Sequence, residues 1–412
     1  MAKTAPSPAP PPARRWPAWL PLAIMAVAVL AVYLPVRHAG FIWDDDSHVT
    51  DNPSIVGGLG LGRIWTSPAA NYFPLTTSTF WVIHALWGVN PLPYHVVDVL
   101  LHIASAALLW LVLRRLRVPG AWLGAMLWAL HPVQVESAAW IAETKNTQSA
   151  VFYLLAIWLF LHWLQAEPAA GRDRRVLCYA AAWLCAALAI LSKASTVMLP
   201  VVLGLCWWWV RGRWRWRDAL WLLPFLAISV TASLWTIWEQ QYHAGAIGQA
   251  WDQTHLQRLI IAGNVVWFYL EKLVWPHPLI FIYPRWAPNA SNLLAYLPVL
   301  AAAGVFLALW WWRARVRGVF FAGAVFGVSL FPVLGFFNVY FFRYSFVADH
   351  FQYLASMGAL ALAGAGLVTA GDWIREKHPW LAVAPTRLLL VVLGVLTYGQ
   401  CRHYLGDEVL WR

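Results

Sequence analysis

Charge is what this chain has least of. Of 412 residues, 18 are acidic and 29 are basic, 11% charged in all, where a soluble globular protein carries about a quarter. With 61% hydrophobic residues, that scarcity excludes a soluble globular protein. Cysteine is sparse as well. The four present, Cys178, Cys185, Cys206 and Cys401, show no metal-ligand spacing, and the first three lie in apolar stretches; they read as free core thiols, not a disulfide framework. Gly-x-Ser-x-Gly and His-Glu-x-x-His do not occur, so serine-hydrolase and zincin readings have no support. The run Gly57–Gly62 lacks the strand and the Lys-Ser/Thr of a phosphate loop and reads as a flexible loop. No repeat of about 34 residues or similar period appears.

What is there is oil in lengths of roughly 20 residues, each enough to cross about 30 Å of hydrocarbon. The net charge of +11 sits in clusters between these lengths: Arg14-Arg15, Arg114 to Arg117, Arg172 to Arg175, Arg211 to Arg217, Arg313 to Arg317, and Arg375 to Lys377. This is the positive-inside pattern of a polytopic membrane protein, with no nucleic-acid partner implied. Placing all six clusters in the cytoplasm predicts eleven crossings, at roughly 17–37, 94–113, 119–133, 148–165, 176–192, 194–210, 218–238, 293–312, 319–336, 351–370 and 383–400. The N-terminus is then inside and the C-terminus outside. Residues 256–275 are apolar enough to span, but the charge rule makes them an outer interfacial helix with Arg258, Glu271 and Lys272 toward headgroups. Residues 1–16, Pro- and Ala-rich over Met1–Pro12, read as a disordered cytoplasmic tail.

Four hydrophilic islands face outward under this topology, at 38–93, 131–147, 239–292 and 337–350. The first carries Asp44, Asp45 and Asp46 in a row. Adjacent carboxylates beside a bilayer are costly unless used. Asp44 or Asp45 is the candidate general base; an Asx-type turn closed by Asn52-Pro53 and a divalent-cation site at Asp44–Asp46 are the alternatives. The second island holds His131, Glu136, Trp140, Glu143 and Lys145. It reads either as an amphipathic outer helix facing a sugar or as an interfacial cap on two spans. Lys193 stands at a hairpin between two apolar segments with no acidic neighbour in sequence, so its ammonium either meets a lipid phosphate or snorkels to the interface. In the last island, aromatics flank Arg343, a second candidate phosphate clamp. Asp349, His350 and Tyr353 cluster where the next span begins, as caps or pocket lining; a metal-ligand role for His350 is the minor reading.

Several short motifs occur in a fixed order: Trp43-Asp-Asp-Asp46 with Asn52-Pro53, Tyr72-Phe-Pro-Leu75, Tyr94-His-Val-Val-Asp-Val-Leu-Leu-His102, His131-Pro-Val-Gln-Val-Glu136-Ser-Ala-Ala-Trp140, Leu191-Ser-Lys193 and Phe346-Val-Ala-Asp-His-Phe-Gln-Tyr353. Together they resemble the membrane region of the transmembrane and tetratricopeptide-repeat O-mannosyltransferases and their bacterial relatives. The resemblance covers nearly the whole chain after Val36. It implies a GT-C-like all-α domain over 17–400 in a bacterial cytoplasmic membrane, with its site facing the periplasm or exterior. It further implies a polyprenyl-phosphate-linked sugar as donor, no required cofactor, and an acidic residue of the first outer loop as base. The family's acidic pair falls on Asp44 and Asp45, its second-loop His and Glu on His131 and Glu136, and its Ser-Lys on Ser192 and Lys193. Thr144 and Asp98 depart from the Arg and Asn that relatives often carry. Tyr404–Trp411 resembles the lead-in to the family's repeats; residues 401–412 are expected as an outer tail without them, so the acceptor, a protein Ser/Thr or a glycan, would be found otherwise.

The expected activity is inverting transfer of mannose or a similar hexose from the lipid donor to an acceptor hydroxyl. A lipid-linked sugar or polysaccharide transporter is the rival from another class. It would place ionisable groups near mid-span, where this chain has chiefly Asp98 and His102. A scaffold that has lost activity is a third reading.

Overall fold

The computed structural model describes residues 17, 19–58, 60–66, 73–167, 171–375, 378 and 380–411. The expected disordered tail at 1–16 lies outside them. Among the described residues there is no strand, and the α-helices in chain order are α1 (Leu20–Val32), α2 (Gly60–Thr66), α3 (Pro74–Trp87), α4 (Pro91–Arg115), α5 (Ala121–Ala129), α6 (Val135–Ala139), α7 (Thr144–Gln165), α8 (Arg172–Ser192), α9 (Leu199–Arg211), α10 (Leu223–Tyr242), α11 (His255–Val274), α12 (Leu297–Trp311), α13 (Arg317–Leu330), α14 (Ser356–Arg375), α15 (Ala384–Cys401) and α16 (Asp407–Leu410). Among the described residues, eight helical segments are long and apolar enough to cross a membrane: Pro91–Arg115, Ile141–Gln165, Arg172–Ser192, Ala194–Arg211, Trp216–Tyr242, Leu293–Trp311, Ser356–Arg375 and Ala384–Tyr404. Leu20–Val32 and Arg317–Val333 are apolar but shorter.

The expected crossing at 119–133 is where structure and sequence part. Its helix α5 has nine residues, about 14 Å at 1.5 Å per residue. Pro132 cannot continue the hydrogen-bond ladder, and the chain passes through a 3-10 turn, Pro132–Gln134, into the short α6. All of Leu123–Thr144 is buried. The second island is therefore an interior segment, where an amphipathic outer helix or an interfacial cap on two spans was expected. It is walled in by α4, α15 and the turn Asp349–Gln352.

The core lies around α4, α5, α7, α8 and α14. Helices α5 and α14 meet at two glycines: a Cβ on Gly364 would stand 2.6 Å from the Gly124 nitrogen. Only glycine permits backbones that close, the small-residue packing that membrane helices favour where hydrophobic exclusion gives no drive. Helix α12, by contrast, has no buried residue. Helix α11 is not among the eight long apolar segments. Two of its charges turn inward instead of toward headgroups as expected. Arg258 donates to the carbonyls of Trp251, Gln253 and Gly335 and to Asn338. Lys272 Nζ donates to the Pro278 carbonyl at 3.0 Å over the rings of Phe268 and Tyr283. Glu271 alone is exposed.

Candidate active site

The aspartate triplet separates into three jobs. Asp45 is fully buried, and both its oxygens accept backbone N–H groups, from Ile42 at 2.9 Å and Ala142 at 2.7 Å. It ties the first loop to the second island, and burial pushes its carboxyl well above the usual range against the pull of those two donors. Asp46 accepts the Thr50 hydroxyl at 3.0 Å on the exposed side. Asp44 feels the interior charges of Lys145, Glu143 and His350. Its side chain is 37% exposed as a whole, while Oδ1 is itself buried and has no hydrogen-bond partner. The three carboxylates diverge and share no common centre for an ion; among the described residues no group of three or more His, Cys, Asp or Glu is poised to hold a metal.

Burial also raises the Asp44 pKa, drawn partly back by Lys145 and pushed further by Glu143. His48, 3.7 Å from Asp44, is held to about 3 by burial and by Lys145. It is a neutral neighbour and forms no ion pair. The loop has a second anchor just before Asp44. Trp43 has φ of 48°, outside the regions a bulky residue adopts readily. The conformation is fixed from several sides. Asp407 Oδ1 accepts the Trp43 N–H at 2.9 Å, and the indole packs on Trp411, Phe281 and Tyr344 at 4.9, 5.0 and 5.5 Å.

Glu143 is the hub of the interior charges. It caps the start of α7 at 2% exposure, with Oε1 2.9 Å from Lys145 Nζ and Oε2 2.8 Å from Lys193 Nζ. The Lys193 expectation is corrected here: the residue does have an acidic partner, and it arrives from another part of the chain. Asn146 closes the hub, donating to Glu143 at 2.7 Å, Ser137 at 3.0 Å and the His350 carbonyl at 3.1 Å. The His350 ring lies between two carboxylates, Nδ1 3.0 Å from Glu136 and Nε2 3.8 Å from Glu143. Glu136 also accepts the His350 backbone N–H at 2.8 Å. Trp140 faces His350 edge-on, and its buried indole N–H has no partner. Asp349 stands behind this group, bound to Tyr283 at 3.1 Å, with its pKa well raised by burial and then by Glu136.

Lys193 lies at the break between α8 and α9, and burial lowers its pKa to about 8 in spite of Glu143. Helix α3 roofs it: Thr76 donates to the Ser192 carbonyl at 3.1 Å and Thr79 to Gln148 at 2.9 Å, with Phe73 over Lys145. From Lys193, Asn146 and His350 a cavity of about 220 Å³ extends along apolar side chains that include Val197, Met198, Ile237, Phe331 and Phe351.

Three sequence candidates are not in the charged cluster. His131 spends both ring nitrogens, donating to the Leu273 carbonyl at 3.1 Å and accepting the Val133 N–H at 3.4 Å, which caps the 3-10 turn. Tyr353 donates to His102 Nδ1 at 2.7 Å, since His102 Nε2 donates to the Ala129 carbonyl at 3.0 Å. Arg343 is exposed against Tyr344 and does not line the cavity that holds Lys193; the second cation of the Glu143 hub is Lys145. The cluster also includes Asn146, Ser137 and His48, none of which was a site candidate, although Ser137 lies within the His131–Trp140 motif. Asn146 stood in the same polar run as Glu143 and Lys145, and that proximity was the available signal.

No family model matches the chain. Among curated proteins, it is 28% identical over 198 residues to the protein O-mannosyl-transferase Tmtc1 of Drosophila melanogaster, covering 45% of this chain and 22% of that protein. It is 28% identical over 145 residues to the protein O-mannosyl-transferase TMTC2 of Mus musculus, covering 32% and 17%. The chain thus matches about a fifth of the length of these relatives. Among solved structures, the oligosaccharyltransferase of Archaeoglobus fulgidus superposes with a TM-score of 0.51 at 11% identity, over 93% of this chain and 56% of that one. The chain is therefore a multi-pass membrane protein with a GT-C-like fold, similar in sequence to the membrane region of the protein O-mannosyl-transferases.

Proposed function

We propose that the protein transfers a sugar from a polyprenyl-phosphate donor to an acceptor hydroxyl at the extracytoplasmic face of its membrane. The observation that carries this is the juxtaposition of a carboxylate having an unpartnered oxygen, Asp44, with a Lys145–Glu143–Lys193 hub at the end of an apolar cavity. An isoprenoid chain suits the cavity's aliphatic and aromatic walls, and its phosphate suits the ammonium at the cavity's end. The resemblance to O-mannosyl-transferases supports mannose or a similar hexose, and a protein Ser/Thr as acceptor.

The step needs one base and one anion stabiliser. Asp44 accepts the proton of the acceptor hydroxyl as its oxygen attacks the anomeric carbon. The bond from that carbon to the phosphate oxygen breaks with inversion, and its electron pair leaves with the lipid phosphate. The phosphate gains a negative charge as it departs, next to two ammoniums that share a single carboxylate. Such a preorganised cation contributes a few kcal/mol when water is excluded. No step requires a metal.

The transport reading draws little from the mid-span polar groups. Asp98 accepts the Thr147 hydroxyl, and His102 is held by Tyr353 and Ala129; both are fully buried. The test is incubation of membranes with radiolabelled polyprenyl-phosphate mannose. Asp44→Asn should lower transfer by about 10²–10⁴ with normal expression and folding. Equal label transfer by wild type and Asp44→Asn would remove the base assignment, and no transfer from any of several lipid-linked sugars would remove the enzymatic reading.

A further inference from the structure

A second polar site lies at the other end of α9 from Lys193, about 20 Å along the helix. Two arginine-rich loops meet there. One begins at Arg211, the last residue of α9, and carries Arg213, Arg215 and Arg217; the other joins α12 to α13, carries Arg313 and Arg315, and ends at Arg317, the first residue of α13. The only acid in either run is Asp218, whose carboxylate is taken up by the Arg215 N–H at 3.1 Å. Among the described residues no carboxylate forms an ion pair with any of the seven.

The loops are held in place by specific contacts. Gly212, with φ of 73°, ends α9 in the left-handed region where a side chain would be strained. Gly204 leaves room for the Trp214 ring, which would stand 3.0 Å from a Cβ there. Arg317 caps α9, donating to the carbonyls of Trp208 and Trp209 with its guanidinium 5.1 Å from each ring. Arg313 lies 4.6 Å over Trp310. The result is a pocket of about 620 Å³ lined by Arg213, Arg313, Arg317, Trp208, Trp214 and Trp310.

We propose that this pocket binds the phosphate of an anionic phospholipid from the leaflet on that face. Like-charged guanidiniums crowded without carboxylates are stabilised by an anion. Arginine matches a phosphate bidentately, and the tryptophan walls suit the glycerol and upper acyl region where indoles settle in membranes. Basic pockets between helices on the positive side are placed to take such headgroups. A zwitterionic lipid offers no net charge to meet seven arginines.

The test uses the full chain purified in detergent with equal phosphatidylglycerol and phosphatidylcholine. Native mass spectrometry counts retained lipid, and thermal unfolding is followed with and without phosphatidylglycerol. Wild type should retain phosphatidylglycerol preferentially and unfold at higher temperature with it. Arg213→Gln/Arg313→Gln leaves the Arg317 cap intact and should bind it on the order of twentyfold more weakly, with an unchanged midpoint in lipid-free detergent. Equal retention by wild type and the double variant would overturn the site. So would equal retention of the two lipids by wild type. Inorganic phosphate that raises the midpoint as much as phosphatidylglycerol would overturn the lipid assignment in favour of a free anion.

Discussion

The two ends of α9 handle positive charge in opposite ways. At the Lys193 end every buried cation has a carboxylate within 3 Å, and the geometry is closed by Asn146 and His350. At the Arg211 end seven arginines share one acid, and their partners are carbonyls and indole faces. The first arrangement fixes position, because a buried ion pair is costly to break. The second fixes potential, because carbonyls and rings hold the guanidiniums without neutralising their charge. Precision belongs to one face of the membrane domain and field to the other.

Removing the hub should show the contrast most strongly. Glu143→Leu leaves Lys145 and Lys193 without their shared carboxylate, and breaking a buried pair this way costs about 3–5 kcal/mol. The expected outcome is a large fall in the unfolding midpoint in detergent together with loss of transfer. A midpoint within a degree of wild type would mean that the cluster is not the closed hub described.

Transfer should also follow pH with two limbs. On the proposed mechanism Asp44 acts as an ionised base, and its raised pKa moves the acid limb to higher pH than an ordinary carboxylate gives. Lys193 must be protonated to meet the phosphate, so activity should fall as pH rises through about 8. Lys193→Arg keeps its charge and should remove the alkaline limb. Glu143→Gln withdraws the charge that holds the Lys193 pKa up, and should move that limb downward. An alkaline limb unchanged in Lys193→Arg would assign it to another group.

A smaller effect is expected at the brace before Asp44. Asp407→Ala deletes the acceptor for the Trp43 N–H and should lower transfer severalfold, with faster amide exchange over 41–51 and little change in donor KM. Asp407→Asn keeps an oxygen at that place and should restore most of the rate. Equal exchange in all three proteins would show that the contact does not hold the loop. The smallest effect belongs to the field end: Arg315→Gln should change stability by less than about 0.5 kcal/mol, as at other surface positions, and leave transfer intact.

Much of the fold was legible because hydropathy and the arginine clusters report directly on spans. The crossing count was less so. A nine-residue α5 followed by buried irregular chain has the same composition as a full span, and only tertiary walls make it tolerable. The site candidates came from polar residues where an oily chain has no other use for them, which is why Asp44, Glu136, Glu143, Lys145, Lys193 and His350 were all named. Their pairing was not legible, since Lys193 meets Glu143 across 50 residues. Nor was the division of labour among Asp44, Asp45 and Asp46, because side chains of one type diverge according to which backbone donors the fold presents. His131 and Tyr353 looked alike to the others for the same reason; each spends its polar atoms on the scaffold, while Tyr353 also lines the cavity beside Lys193.

The hydrogen bond from Trp43 to Asp407 joins positions 364 residues apart. Local contacts form early and distant ones late, so this one is completed only when nearly all the helices have been inserted. During synthesis the aspartate loop is therefore held first by Asp45 on Ala142, and gains its second anchor only when the chain around Asp407 emerges. A ribosome halted before that point would leave a protein whose aspartate loop is fastened on one side alone.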